Sequence, residues 1–205
     1  MRRGRGAVVV VPVVEALEGR ALLSASGLRG RAAGGAQVFD VVLAPENNSG
    51  VSGQARLTLR GSRLTVVMTV RGLEPGRPHA VHLHGFAGQP MDQPSVEPPP
   101  TAAALDPTPN GLGPSIVSET EATPFVGPII KTISPGVVSR RADGSVTIRQ
   151  TVSLRHDNYT VSILPLEFRQ LEVHGLTVGG AYQPTVGVAG GHVVPAGPLA
   201  LRARR

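Results

Sequence analysis

The chain has 205 residues, 40% of them hydrophobic, which allows one domain with a sizeable core, and its lack of Cys excludes disulfides and Cys nucleophiles. The formal charge of +6 arises at the two ends, because residues 36–201 carry 11 basic and 12 acidic side chains. Without Trp, and with only 2 Tyr and 4 Phe, this near-neutral body offers no platform for base stacking, so nucleic-acid binding is not expected.

The first 35 residues have the outline of a bacterial export segment. A basic start at 2–5 precedes an apolar stretch at 7–14, and small residues follow at 24–26. The run at 17–25, LEGRALLSA, resembles the LEPR-XLL segment of bacterial surface proteins. We therefore expect residues 1–35 to be a signal peptide or targeting segment with a flexible spacer, and the protein to be secreted or at the cell surface. A disordered basic tail is the alternative. No apolar run reaches the ~18–20 residues of a transmembrane span.

From residue 36 the chain is a series of short predicted strands. Alternation of apolar and polar residues over 55–60 and 63–70, joined by a Gly-Ser turn, predicts a hairpin. Further strands are predicted at 37–44, 78–84, 127–133, 145–154, 158–164, 169–178 and 186–194. About eight strands without a sustained helical period predict an all-β sandwich or barrel over 36–201, with 202–205 as a basic tail.

The segment 86–126 interrupts the strands. It contains nine Pro and few periodic apolar residues, which predicts one long Pro-rich loop that is either functional or mobile. Residues 106–117 have some polar positions of a calcium loop, but the twelfth position is Val117 instead of the required Glu. A structural loop is therefore expected here.

His82 and His84 form a candidate half of a metal site. They flank Leu83 in the predicted strand 78–84, and residues two apart in a strand project from the same face, so the two imidazoles lie side by side. Two such imidazoles suit a transition metal. Solvent-facing histidines without a metal are the alternative. His79 has the opposite parity and is expected in a turn.

His174 is the candidate third ligand. It lies in the predicted strand 169–178, two residues after Glu172, and the alternation places both side chains on the outer face of the sheet. A site built from all three histidines requires this strand to bring its outer face against the strand that carries the pair. The sequence alone does not determine that arrangement.

These stretches resemble a known superfamily. Residues 53–86, which end in HLHGF, are similar to the first half of copper/zinc superoxide dismutase and to the related bacterial CHRD (chordin-type) domains. Residues 168–175 are similar to the late dismutase strand that bears a copper-binding His, and residues 188–193 to its closing Gly-rich loop. The resemblance spans 37–201 and implies a superoxide-dismutase-like Greek-key β-sandwich or flattened barrel.

The resemblance also implies a ligand set. In the dismutases two His of an HxH motif, a bridging His and a late-strand His hold copper, and these imply His82, His84 and His174 as copper ligands here. No His lies between His84 and His156, so the bridging His and the zinc ligands have no counterpart and no zinc site is expected. His192 stands near the place of a dismutase Arg and is the candidate fourth ligand or a residue supporting the ligands.

Two functions of different classes follow. The first is a secreted copper-binding domain with a three-His site that is redox-active towards superoxide; whether it is an enzyme stays open, because the dismutase site is incomplete. The second is a non-catalytic extracellular attachment or protein-interaction domain of CHRD type without bound metal, in which the loop 86–126 or an exposed sheet edge binds a cell-surface protein. A hydrolase is not supported, since there is no G-x-S-x-G motif.

Overall fold

Antiparallel strands dominate the structure. The computed structural model describes residues 35–86, 111–113, 115–154 and 163–197, all within the second of two units, Met1–Ala33 and Gly34–Arg205. Nearly all of the predicted export segment, and the basic tail, therefore lie outside the described residues. The described strands are β1 (Gln37–Pro45), β2 (Ser52–Arg60), β3 (Arg63–Arg71), β4 (Pro78–His84), β5 (Ile129–Val138), β6 (Val146–Ser153), β7 (Gln170–Val178), β8 (Ala181–His192) and β9 (Val194–Pro195).

The eight longer strands form one nearly closed antiparallel sheet. Their order is β5-β4-β7-β8-β1-β2-β3-β6, and β9 pairs with β1. Three of the pairings, β3 with β6, β4 with β7 and β8 with β1, join strands that are distant in sequence, as in Greek-key connections. The predicted all-β, barrel-like sandwich is confirmed.

The interior is filled by the alternating apolar residues of the strands. Across the β2–β3 hairpin, Leu57 faces Val66 and Ala55 faces Met68, and all four side chains are buried. Each fully buried aliphatic side chain of this kind stabilises the fold by about 1.5–3 kcal/mol relative to its exposed state. Strands β4 and β7 pair in the same way, and there Leu83 of β4 faces Leu171 of β7 inside the core.

An α-helix forms the last eight residues of the Pro-rich segment. Helix α1 (Glu119–Val126) begins with a capping box, in which Ser118 and Glu121 bond to each other's backbone N–H groups. The S-x-x-E pattern is present in the sequence, but the segment lacks the apolar period on which helices are usually recognised. Residues 87–110 of the segment lie outside the described residues. Neither described helix, α1 or the 3-10 helix Leu166–Phe168, is long and apolar enough to span a membrane.

Strands β5 and β8 extend furthest beyond their predicted limits, by five residues each. β5 continues to Val138 through Pro135 and Gly136, because shifts in its register with β4 accommodate the extra residues. β8 starts at Ala181 instead of 186, and its pairing with β7 is also shifted around His174. The predicted strand 158–164 lies mainly outside the described residues, and its described end, 163–164, is not a strand.

Candidate metal centre

Strands β4 and β7 bring the three predicted ligands together. They pair in a register that sets His82 opposite Glu172 and His84 opposite Gln170. Directly opposed residues share a face of the sheet, and His174 follows Glu172 by two positions on the same face. One ligand-capable nitrogen from each of His82, His84 and His174 lies within 4.8 Å of the other two. The group could therefore hold a metal ion.

The face that carries these side chains is covered, although it was predicted to be the outer one. His84 is 0%, His174 2% and Glu172 3% exposed, whereas His82 is half-buried. Helix α1 packs against β8. The side-chain amide of Asn47 donates hydrogen bonds to the carbonyl of Val117, just before the helix, and to that of Gly187 in β8. Parity predicted the shared face correctly, but not the layer that covers it.

A backbone carbonyl orients His84. Its Nδ1 lies 3.0 Å from the carbonyl oxygen of Gly127, at the end of α1, and because a carbonyl only accepts, Nδ1 is the protonated nitrogen. In the neutral ring Nε2 then has a free lone pair. Gly127 has φ +84°, and a Cβ there would lie 2.4 Å from the carbonyl carbon of Gly85. Only glycine permits this close approach.

His174 is held in the same way. Its Nδ1 lies 2.9 Å from the carbonyl oxygen of Thr185 in β8, so its Nε2 is also unprotonated in the neutral ring. The Nε2 atoms of His84 and His174 are 3.2 Å apart. Two lone pairs cannot hydrogen-bond to each other, so the pair as arranged needs a cation or an added proton between them. Backbone-anchored Nδ1 atoms with converging Nε2 atoms are typical of metal-binding histidines.

His82 completes the group from the half-buried side. Its Nδ1 is buried and has no hydrogen-bond partner among the described residues. The centroid of its ring is 4.9 Å from that of His174 and 6.0 Å from that of His84. A buried polar nitrogen without a partner is costly, by about 1–3 kcal/mol, and a metal ion bound at this Nδ1 would remove that cost.

Burial keeps the three rings neutral. Desolvation lowers the pKa of His84 to about 4, an effect opposed by its hydrogen bond to Gly127 and reinforced by the nearby His82. Desolvation likewise lowers the pKa of His174 to about 3, with His84 reinforcing the effect. The pKa of His82 is lowered by burial as well. Neutral imidazole is the form that binds metal, so no proton has to be removed at neutral pH.

Glu172 was not predicted as a site residue, yet it faces the histidines. Its Oε2 lies 3.5 Å from Nε2 of His84 and 3.6 Å from Nε2 of His174. Its place in the site follows from two observations, its position on the same face as His174 and the pairing of β7 with β4. Only the shared face can be predicted from the sequence.

Two other histidines lie apart from the group. His192 is half-buried at the end of β8, opposite Gln170, and its role as fourth ligand stays a prediction. The prediction that His79 lies in a turn was wrong, because β4 already starts at Pro78, and proline is tolerated as the first residue of a strand. The His79 ring is fully buried, and its nitrogens lie 3.1 and 3.2 Å from the carbonyl oxygens of His174 and Glu74.

No protein-family model matches the chain, and no curated protein sequence matches it significantly. Fold and site together define a barrel-like β-sandwich with a buried group of three histidines that could hold a metal ion.

Proposed function

We propose that this chain is an extracellular copper-binding domain related to the CHRD and superoxide-dismutase-like proteins, with His82, His84 and His174 as ligands. The 3.2 Å separation of two Nε2 atoms, each on a ring whose Nδ1 faces a backbone carbonyl, is the observation that supports it best. Imidazole nitrogens without thiolates suit Cu(II). The choice of copper rests on the resemblance of residues 53–86 and 168–175 to dismutase strands.

Copper bound by these residues would supply one-electron redox chemistry, for which superoxide is the substrate that the resemblance implies. His84 and His174 are fully buried and fix the inner side of the site, whereas the half-buried His82 marks the side from which a small anion can approach. Disproportionation of two superoxide ions to dioxygen and hydrogen peroxide consumes two protons. The chain has no counterpart of the bridging His, so these protons would come from water.

The test is the copper content of protein that has been loaded with copper and then dialysed. We expect about one tightly held copper per wild-type chain and none in the double variant His82→Ala/His174→Ala. The matched control is the double variant Thr65→Ala/Thr69→Ala, which changes two residues of β3 whose side chains bond to β6 and lie outside the group. It should keep its copper, and unfolding curves of the metal-free proteins show which variants are folded.

Loading with zinc in parallel tests the identity of the metal. Zinc retained in preference to copper would contradict the copper assignment while keeping the site. Retention of neither ion by the wild type would contradict the metal-binding proposal. A metal-free attachment domain of CHRD type would then be the better hypothesis. If copper is retained, superoxide consumption by the loaded protein, compared with the double variant, tests for turnover.

We also propose that the protein is exported, on the basis of the basic, apolar and small-residue order of residues 1–35. The test is a fusion of these residues to a reporter that is active only outside the bacterial cytoplasm. Activity that disappears when the three arginines at 2–5 are replaced by Glu would support export. A fusion that stays in the cytoplasm would contradict it.

A further inference from the structure

A fourth electron-pair donor points into the three-histidine group. Glu172 is 3% exposed and lies on β7 directly opposite His82. Its Oε2 is 3.5 Å from Nε2 of His84 and 3.6 Å from Nε2 of His174. Both nitrogens are unprotonated in the neutral rings, because the protons are on the Nδ1 atoms that face backbone carbonyls. Neither can therefore donate a hydrogen bond to the carboxylate.

The distances from Glu172 to the two histidines are longer than those of a charge-assisted hydrogen bond. If one ring were protonated on Nε2, a charge-assisted hydrogen bond to the carboxylate would bring the heavy atoms to about 2.7–2.9 Å. Neighbouring ligand atoms about 2.0–2.1 Å from one metal ion stand about 2.8–3.4 Å from one another, from the square-planar to the tetrahedral arrangement. The three observed separations among the two Nε2 atoms and Oε2 are 3.2, 3.5 and 3.6 Å. They are closer to the separations of neighbouring metal ligands than to those of a charge-assisted hydrogen bond.

We propose that Glu172 is the fourth ligand, so that the site takes a divalent ion through three imidazole nitrogens and one carboxylate oxygen. The inference rests on the proposed metal-binding role of the three histidines and adds the oxidation state that the site prefers. A carboxylate is a hard, anionic ligand, whereas Cu(I) favours soft donors. Glu172 therefore stabilises Cu(II) relative to Cu(I) and lowers the reduction potential of the bound copper.

The position of Glu172 is better suited to this role than that of His192. Glu172 lies opposite His82, and its carboxylate is close to Nε2 of both His84 and His174. His192 lies in the cross-strand row of Gln170 and His84 and is not part of the three-histidine group. The cross-strand partner of Glu172 on β8 is Gly190, and the space over this glycine is filled by the carboxylate of Glu46 and the amide of Gln170. The variant His192→Ala is therefore expected to bind Cu(II) as the wild type does.

The test compares Glu172→Gln, which keeps the side-chain volume and removes the charge, with the wild type. The matched control is Glu167→Gln, an exposed carboxylate five residues upstream. Affinities for Cu(II) and Cu(I) are measured separately by competition with chelators, together with the electron paramagnetic resonance spectrum of the Cu(II) form. For Glu172→Gln we expect a loss of more than about tenfold in Cu(II) affinity, a much smaller change for Cu(I) and an altered spectrum. Glu167→Gln should match the wild type in all three.

The outcomes separate this inference from the proposed function. Unchanged Cu(II) affinity and spectrum in Glu172→Gln would overturn the fourth-ligand role and leave the three-histidine site intact. Equal losses for Cu(II) and Cu(I) would show a general disturbance of the pocket and would also overturn it. A His192→Ala variant that loses Cu(II) while Glu172→Gln keeps it would assign the position to His192. A wild type that retains neither copper nor zinc would overturn both proposals.

Discussion

The orientation of His84 by the end of α1 is tested most directly by Gly127→Ala. The added methyl group meets two obstacles. The backbone of Gly127, with φ 84° and ψ 169°, is in a region almost restricted to glycine, which costs an L-residue about 1–3 kcal/mol. In addition, the new Cβ would lie 2.4–2.8 Å from three backbone atoms of Gly85. Backbone cannot rotate away as a side chain can, so the two segments must separate, at a further cost of about 1–3 kcal/mol.

Gly76→Ala is the matched control for Gly127→Ala. Gly76 also has a positive φ, +76°, but no atom lies within 4 Å of its added Cβ. Gly76→Ala therefore measures the cost of a positive φ without the contact. We expect the free energy of unfolding of the metal-free protein to fall by about 1–2 kcal/mol in the control and by about 2–6 kcal/mol in Gly127→Ala. Both changes lie within the total stability of about 5–15 kcal/mol of an ordinary domain, so both variants should fold.

The measurements are urea unfolding of the metal-free proteins and copper affinity of the folded ones. Displacement of the Gly127 carbonyl releases Nδ1 of His84, so Gly127→Ala should lose about 10–100-fold in copper affinity, whereas Gly76→Ala should keep the wild-type value. The reasoning is refuted if the two variants lose the same stability. It is equally refuted if Gly127→Ala is destabilised but binds copper as tightly as the wild type.

Three further predictions follow from the same contacts. Asn47→Ala removes the amide that bonds to the backbone of Val117 and Gly187, so the free energy of unfolding should fall by about 1–3 kcal/mol. Asn48→Ala is the control, because Asn47 and Asn48 both have a positive φ. Leu171→Ala leaves a cavity beneath the site and should destabilise the metal-free protein by about 2–5 kcal/mol; a loss below 1 kcal/mol would contradict the packing of the core. Burial, opposed by the hydrogen bond to Gly127 and reinforced by His82, lowers the pKa of His84 to about 4 from 6.5. The ligating form therefore persists as the pH falls through the ordinary value, even though the carboxylate of Glu172 faces the same ring. Copper should therefore be retained at about pH 5.5 and lost near pH 4, and a release midpoint near 6.5 in a pH series of dialyses would contradict this.

The strands were predictable because each has one apolar face that must be buried. In β2 and β3 the alternation is unbroken on both sides of a short turn, so the register of Leu57 with Val66 follows from the turn itself. The same period-two argument placed His82 and His84 side by side. These are local properties, determined by residues within a few positions of each other.

The complete site was less predictable, because it depends on contacts that are distant in sequence. The pairing of His84 with Gln170 joins positions more than 80 residues apart, and many strand orders satisfy the same alternation. The tautomer of His84 depends on Gly127, in a segment whose apolar residues have no helical period. The proposed role of Glu172 depends both on the pairing of β4 with β7 and on the tautomer of His84. Local patterns thus identified candidate ligands but not their common proton state.

The segment that covers the sheet determines the chemistry of the site. Without it, His84 would be a solvent-facing strand histidine, able to protonate near its ordinary pKa of 6.5 and to rotate freely. With it, the ring is dehydrated, its Nδ1 is bound to the Gly127 carbonyl, and its Nε2 faces His174 and Glu172. The sheet brings the donor atoms together, and the covering segment leaves Nε2 of His84 unprotonated and directed towards the group. Substitutions in 115–128 should therefore change metal affinity without touching a ligand.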